Sequence, residues 1–234
     1  MSEIMTERVE LKVDDGTTMG GFVARPREGR HPGLALFQEA FGVNAHLRDV
    51  AQRFAREGFV VLAPELFHRT APPGFEAKYD FAEVKQHYEA STKPEPLALD
   101  LKASYAWLSA HPAVRPEAIS CAGFCMGGRA AYLADAVAPF ASAVSFYGGG
   151  IAPALLDRAP SLSGPLLMFW GGLDAHIPPE QIAALTGALR AAGKPFINVV
   201  FSASNHAFFN DARPNFDPDA ARQAWALTLA FLKK

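Results

Sequence analysis

One five-residue motif combines a nucleophilic side chain with the glycines that a sharp catalytic turn requires: Gly123-Phe124-Cys125-Met126-Gly127. It has the form glycine–x–nucleophile–x–glycine, and it lies between a predicted strand and a predicted helix. The glycines leave room for the strand and the helix to approach each other at the turn. The dipole of the helix that begins there favours the thiolate of Cys125. A structural cysteine in a glycine-rich turn is the alternative, and the strand–turn–helix context favours the nucleophile.

An acid and a base are expected after this nucleophile, in that chain order and in loops that follow strands. Asp174 follows the predicted strand 166–170, and its carboxylate would accept a hydrogen bond from an imidazole and fix its tautomer. His206 follows the last predicted strand, 196–201, and none of the other six histidines does. The alternative for Asp174 is a turn-forming residue, and His176 is expected at a pocket rim. The chain order therefore predicts a triad of Cys125, Asp174 and His206.

The elements that would position these residues are short apolar runs that alternate with amphipathic stretches of helical period. This alternation predicts parallel strands joined by crossover helices. The predicted strands are 7–13 and 18–24, which form a hairpin turned at Asp14-Asp15-Gly16, then 33–38, 59–63, 118–122, 143–147, 166–170 and 196–201. The predicted helices are 46–57, 97–110, 127–137, 179–191 and a last one that runs to 232, with Asp217 as N-cap and Pro218 in its first turn. Residues 64–95 are less regular. We expect them to form an excursion over one end of the sheet that shapes a pocket and contains a short helix near 80–90.

The composition excludes several other classes of protein. Of the 234 residues, 50% are apolar and 20% charged, which is typical of a globular chain. The 22 Lys and Arg and 24 Asp and Glu give a net charge of -2 without a basic run, so no nucleic-acid partner is expected. No apolar stretch approaches the roughly 18 residues that span a bilayer, and the charged N-terminus does not match a secretory signal. We therefore expect a cytoplasmic protein without a membrane partner.

The two cysteines, Cys121 and Cys125, are too few for a disulfide framework. They lie four residues apart and no second ligand pair is visible, so no zinc site is expected. Cys121 falls within a predicted strand, where a core role is expected.

Several stretches, taken together, resemble the dienelactone hydrolases (carboxymethylenebutenolidases), a family of α/β-hydrolases. The matching stretches are Gln38-Glu39-Ala40-Phe41-Gly42-Val43-Asn44, Ala63-Pro64-Glu65-Leu66-Phe67, Gly123-Phe124-Cys125-Met126-Gly127-Gly128, Gly171-Gly172-Leu173-Asp174 and His206-Ala207-Phe208. They extend over nearly the whole chain, and cysteine in the elbow is distinctive because most relatives of this fold use serine. The resemblance implies one α/β-hydrolase domain over 1–234, with a mostly parallel central sheet and helices on both faces.

The resemblance also implies a mechanism. Cys125 attacks the carbonyl carbon of a cyclic enol ester, and His206 and Asp174 activate it. The backbone N–H groups of Met126 and Ala40 form the oxyanion hole. Hydrolysis of an acyl-enzyme completes the cycle, so no metal or organic cofactor is needed.

The resemblance assigns one further catalytic group. Glu39 would lie near the thiol of Cys125 and help to generate the thiolate when substrate arrives. Its alternative is a solvated turn residue.

The chain departs from the family's pattern where the substrate is held. The family's type members bind a substrate carboxylate with two arginines, and the matching positions here are Asn210 and, counted without gaps, Lys85. Arg69 and Arg213 lie nearby and could substitute, although each alone is more often a solvated charge. Phe41 is a further candidate for substrate contact. We therefore expect a carboxylate-bearing dienelactone to be a weaker substrate, and a neutral lactone or small aryl ester to be preferred.

Three hypotheses on function follow. The first is a cysteine-dependent hydrolase of lactones or small esters, acting on a small molecule as a monomer or small homo-oligomer. The second is a thioesterase or broad carboxylesterase with a different pocket, which a substrate panel would distinguish. The third is an inactive relative that binds a small ligand, against which the intact triad argues.

Overall fold

One eight-stranded sheet organises the chain, which a computed structural model describes over residues 3–233. Residues 1, 2 and 234 of the predicted domain lie outside the described residues. The strands are β1 (Ile4–Lys12), β2 (Thr18–Pro26), β3 (His31–Phe37), β4 (Val60–Pro64), β5 (Val114–Phe124), β6 (Ala143–Phe146), β7 (Leu166–Gly171) and β8 (Phe196–Phe201). Their order across the sheet is β1-β2-β4-β3-β5-β6-β7-β8. β2 pairs antiparallel with β1 and with β4, and the six strands β3 to β8 run parallel to one another.

Helices connect the parallel strands and cover the sheet. They are α1 (Ala45–Arg56), α2 (Phe81–Ser91), α3 (Pro94–Ala110), α4 (Met126–Val137), α5 (Pro179–Ala191) and α6 (Pro218–Leu232), with a 3₁₀ helix at Leu156–Ser161. α1 and α6 meet through the rings of Phe54 and Trp225, whose centroids are 4.4 Å apart. α3 packs on α4, which also contacts the 3₁₀ helix. Within residues 3–233, no helix has both the length and the apolar character to cross a membrane.

The α/β fold class and the predicted order of strands and helices are confirmed. β4, β6 and β7 are buried at every position, as expected for parallel strands covered on both faces. Asp217 is the N-cap of α6, where its side chain accepts hydrogen bonds from the N–H groups of Asp219 and Ala220. The short helix expected near 80–90 is α2.

Several elements are longer than the sequence predicts, and β5 and α3 show why. β5 begins at Val114, before the predicted 118–122, because the exposed Arg115 and Glu117 interrupt the apolar run that identified the strand. α3 begins at Pro94, which the sequence assigned to the excursion. Proline fits the first helical turn because its missing N–H would have no acceptor there.

The parallel strands bring four of the predicted site residues to one edge of the sheet. Carboxyl ends of parallel strands meet at the same edge, where α/β proteins bind ligands. Glu39 follows β3, Cys125 follows β5, Asp174 follows β7 and His206 follows β8. The topology therefore gathers residues that lie as much as 167 positions apart in the sequence, from 39 to 206.

Candidate active site

Cys125 sits in a strained turn between β5 and α4. Its φ of 54° and ψ of -114° lie where residues with a side chain are rare, so the backbone must be held there by its surroundings. A Cβ on Gly123 would overlap the carbonyl of Gly127, and a Cβ on Gly127 would overlap the carbonyl of Phe37. The N–H of Cys125 donates to the carbonyl oxygen of Phe146 at 3.0 Å. The geometry is that of a nucleophile elbow, with the half-buried thiol at the start of a helix.

Asp174 and His206 form a close pair beside this turn. Nδ1 of His206 lies 2.6 Å from Oδ2 of Asp174, and the backbone N–H of His176 donates to Oδ1 of the same carboxylate at 2.9 Å. Asp174 is buried, which by itself raises the pKa of its carboxyl. The hydrogen bond and charge of His206, together with the N–H and charge of His176, outweigh burial, so the pKa lies below its usual value. The carboxylate is therefore ionised and fixes the orientation of the imidazole.

The charge on His206 is stabilised from two sides. Burial lowers the pKa of the imidazole, but hydrogen bonding to Asp174 and then to Cys125 raises it from 6.5 to about 10. The ring packs edge-on against Tyr147 and against His176, with centroids 5.0 Å and 5.3 Å away. At neutral pH, the site therefore favours an imidazolium next to the sulfur of Cys125.

Glu39 is buried beside these residues and holds two hydrogen bonds. The hydroxyl of Tyr147 donates to Oε1 at 3.3 Å, and Nδ2 of Asn210 donates to Oε2 at 2.7 Å. The side chain is not solvated, because the residue is only 4% exposed. Within residues 3–233, neither oxygen of Glu39 forms a hydrogen bond with Cys125.

A cavity of about 430 Å³ opens onto the triad. Its lining residues are Ala40, Phe41, Tyr79, Phe81, Tyr88, Cys125, Gly149, Gly150, His176, His206 and Arg213. A larger groove of about 530 Å³ lies along the β1–β2 hairpin near Arg8 and Glu65, away from the nucleophile. The smaller cavity is the candidate active site because it contains Cys125 and His206. His176 lines this cavity, which agrees with its expected place at a pocket rim.

One side of the cavity is a cluster of Phe41, Tyr79 and Arg213, which we term the pocket wall. The rings of Phe41 and Tyr79 meet edge-on with centroids 5.0 Å apart. The guanidinium of Arg213 lies 5.4 Å from each ring centroid, within the range of cation–π attraction. Among the described residues, no carboxylate lies within ion-pair distance of Arg213.

The structure does not bring the other predicted substrate-binding residues to the cavity. Lys85 is exposed on α2, where its Nζ lies 4.0 Å from Oε1 of Glu89. The guanidinium of Arg69 is engaged by Asp100 and by Asp15, at 2.7 Å in each case, and so links β1–β2 to α3. These carboxylates hold Arg69 away from the pocket. Asn210 is fully buried and contacts Glu39 instead of lining the cavity.

Phe41 lines the cavity as expected, but the other aromatic residues of the lining were not predicted from the sequence. Tyr79, Phe81 and Tyr88 all come from the excursion between β4 and α3. Their clustering in a segment already interpreted as pocket-shaping was an available signal. Tyr147, beside the imidazole, was hidden at the end of a predicted strand, and no sequence feature marks its positive φ of 39°.

The chain is similar to known proteins in sequence and in fold. The sequence model of the dienelactone hydrolase family matches residues 19–234. A carboxymethylenebutenolidase of Pseudomonas sp. (strain P51) is 31% identical over 236 residues, which cover 99% of this chain and 96% of that protein. The crystal structure of a Klebsiella pneumoniae protein assigned to the dienelactone hydrolases has a TM-score of 0.90 and 29% identity, with complete coverage of both chains. A dienelactone hydrolase-like promiscuous phosphotriesterase from metagenomic libraries, at 22% identity, a TM-score of 0.86 and 98% coverage of both chains, shares the fold. The chain belongs to the dienelactone hydrolase family.

Proposed function

We propose that this protein hydrolyses lactones or small carboxylic esters through an acyl-enzyme formed on Cys125. One observation carries the proposal: a strained nucleophile elbow faces the same cavity as a histidine paired with a buried carboxylate. Each part alone occurs in proteins without catalytic activity. Together they form the nucleophile, base and orienting acid of covalent acyl transfer.

Acylation begins with the thiolate of Cys125, which attacks the carbonyl carbon of the ester. The carbonyl oxygen gains negative charge and accepts hydrogen bonds from the N–H groups of Met126 and Ala40. Met126 is suited to this role because it opens α4, where N–H groups have no acceptor within the helix. The tetrahedral intermediate collapses, the C–O bond to the leaving group breaks, and the imidazolium of His206 donates its proton to the departing oxygen.

Deacylation uses the same groups in reverse. Neutral His206 takes a proton from a water molecule, whose oxygen attacks the thioester carbonyl. The C–S bond then breaks, Cys125 leaves as the thiolate, and the carboxylic acid product departs. Asp174 stabilises the imidazolium in both half-reactions and is not itself protonated.

Arg213 changes the expectation for substrate charge. The predicted preference for neutral esters depended on Asn210 and Lys85 in place of the family's two arginines, but the structure contains the guanidinium of Arg213 in the pocket wall. Because this cation has no carboxylate partner among the described residues, it favours an anionic group on the substrate. We propose that an ester with a carboxylate is the better substrate, the reverse of the order expected from the sequence.

The test combines alkylation with turnover. Iodoacetamide is added to the wild-type protein, and hydrolysis of a 4-nitrophenyl ester and of a dienelactone is followed while mass spectrometry locates the label. Activity should fall in step with modification of Cys125, and Cys125→Ala should be inactive with an unchanged unfolding midpoint. Cys121→Ala is the matched control, because Cys121 is buried in the core and should leave labelling and turnover intact. Undiminished turnover in Cys125→Ala would overturn the assignment.

A further inference from the structure

Glu39 is the centre of a buried hydrogen-bond network that the mechanism above does not use. Its two carboxylate oxygens take donors from different parts of the chain, Tyr147 after β6 and Asn210 after β8. Tyr147 and Asn210 are both fully buried. Buried polar networks of this kind impose one geometry, since a partner left unsatisfied is costly. The network therefore joins the loop that carries Ala40 to two neighbouring loops.

The first branch leads to the catalytic histidine. The ring of Tyr147 packs edge-on against that of His206, at a centroid distance of 5.0 Å and an interplanar angle of 60°. Burial raises the pKa of Tyr147 well above its usual value, and Glu39 and Cys125 add to the effect, so its hydroxyl remains a neutral donor. This hydroxyl, bonded to Glu39, fixes the ring that supports the imidazole.

The second branch leads to the pocket wall through Asn210. Its Oδ1 accepts the backbone N–H of Ala212 at 3.0 Å, which orients the amide so that Nδ2 faces Glu39. The same amide lies 3.2 Å from the hydroxyl of Tyr79. The ring of Tyr79 in turn packs against Phe41 and Arg213. The Asn210 amide thus donates to a carboxylate through Nδ2 and accepts from a backbone N–H through Oδ1. Neither an ionised aspartate nor a leucine could form both hydrogen bonds.

We propose that Asn210 and Tyr79 are positioning residues that connect the buried carboxylate of Glu39 to the pocket wall. Through them, the position of His206 is fixed relative to the substrate-binding surface. The proposal rests on the hydrolase function proposed above.

Replacing the Asn210 amide with a carboxyl group makes the hydrogen bond to Glu39 depend on pH. If Asn210 were purely structural, this substitution would not change how the rates depend on pH. In Asn210→Asp, a second carboxyl group takes the place of Nδ2, 2.7 Å from Oε2 of Glu39. Two carboxylates this close cannot both be ionised, so at low pH they share a proton that restores the donor. Tyr79, Tyr147, Cys125 and Arg213 are titratable or charged groups that also act on this site, and the ring of His206 packs against Tyr147.

The experiment measures the rate of Cys125 alkylation by iodoacetamide, and kcat/KM for 4-nitrophenyl acetate, across the acidic to alkaline range. For Asn210→Asp, the ratio of each rate to that of wild type should be near one at low pH. It should fall by about tenfold as the second carboxyl ionises, the effect expected from losing a hydrogen bond to a charged group. A ratio that does not change with pH would overturn the proposal.

A second variant examines the outer end of the network. Tyr79→Phe keeps the ring against Phe41 and Arg213 but removes the hydroxyl that reaches Asn210. We expect KM for a carboxylate-bearing ester to rise about fivefold with kcat nearly unchanged, the effect of one neutral hydrogen bond on binding. An unchanged KM, or an equal loss in kcat, would contradict the assignment of Tyr79.

Asn198→Asp is the matched control, because Asn198 lies on the edge strand β8 and accepts a hydrogen bond from Trp170, which a carboxylate can also do. It should behave as wild type at every pH. If wild type hydrolyses no ester, the proposed function fails. The alkylation profile still decides the role of Asn210, because alkylation needs only the thiol and the imidazole.

Discussion

Backbone geometry holds the nucleophile elbow, whereas side-chain contacts hold the pocket wall of the same cavity. At the elbow, Gly123 and Gly127 allow main-chain atoms to approach so closely that no side chain would fit. In the pocket wall, Arg213 rests on Phe41 and Tyr79, and Tyr79 is tied to Asn210. The two regions lie at one edge of the same sheet, but different forces fix them.

If the proposed function holds, this difference separates the residues that carry out the reaction from those that select the substrate. A clash between backbone atoms can be relieved only by moving a strand or a helix, so the elbow accepts few substitutions. A cluster of side chains can be altered one residue at a time at the cost of a few hydrogen bonds and ring contacts. We infer that variation in the pocket wall changes which ester is hydrolysed, while variation in the elbow removes the reaction.

The largest effect is expected at the elbow. In Gly127→Ala, the new methyl group would overlap the carbonyl oxygen of Phe37, so β3 and α4 must separate or the variant must fail to fold. We expect no soluble folded protein, or a free energy of unfolding lower by about 3 kcal/mol or more, which is diagnostic of such a clash. Urea denaturation followed by circular dichroism measures it.

Gly187→Ala is the control for this change. Gly187 lies within α5, and a Cβ there would have no atom within 4 Å. Alanine should stabilise the protein by about 0.5–1 kcal/mol, because it restricts the unfolded chain and suits a helix. A Gly127→Ala protein as stable as wild type would show that the elbow is not fixed by this close approach.

The same difference explains what the sequence could predict. The glycines around Cys125, and Asp174 and His206 after their strands, are local signals, because each residue's place depends on the element beside it. Arg69 and Asn210 were assigned to substrate binding, but their positions depend on partners far along the chain, Asp100 and Asp15 for the first and Glu39 for the second. Such pairings leave no periodicity or spacing in the sequence. The sequence therefore named Phe41 and Arg213 only as candidates, and Tyr79 and the contacts that join the three became visible only in the structure.

The next largest effect is expected at Asp174. In Asp174→Asn, the amide would leave the imidazole in the wrong tautomer, and kcat should fall by about 10⁴-fold, as such a change does in other triads. The main hydrogen bond that raises the pKa of His206 would also weaken. The imidazole should therefore titrate near pH 10 in wild type and at clearly lower pH in the variant, as measured by NMR. A wild-type midpoint near 6.5 would contradict the stabilised imidazolium.

The sign of the matching stability effect follows from the two pKa shifts. Because folding raises the pKa of His206 from 6.5 to about 10, its contribution to stability is complete below pH 6.5 and is lost as the pH rises toward 10. Folding lowers the pKa of Asp174, so its contribution is present above the unfolded value of 3.8 and is lost in acid. The free energy of unfolding of wild type should therefore exceed that of Asp174→Asn most clearly between pH 3.8 and 6.5. The difference should narrow at alkaline pH.

The smallest effect is expected in the pocket wall, where Arg213→Gln should change the preference for substrate and not the reaction. We compare a 4-nitrophenyl ester with its isostere that carries a carboxylate at the acyl end. Wild type should prefer the charged ester, and Arg213→Gln should lose about tenfold in kcat/KM on it, the effect of one charge-assisted hydrogen bond. The neutral ester should be hydrolysed at nearly the same rate by both proteins.

Arg222→Gln controls for the loss of one positive charge, because Arg222 lies exposed on α6 and pairs with Asp219 at 2.7 Å. It should leave both rates unchanged, since exposed ion pairs contribute little and Arg222 does not line the cavity. If Arg213→Gln slows both esters equally, the guanidinium supports the rings of Phe41 and Tyr79 and does not select for charge. In that case the pocket wall would resemble the elbow, with its residues needed for the shape of the site whatever the substrate.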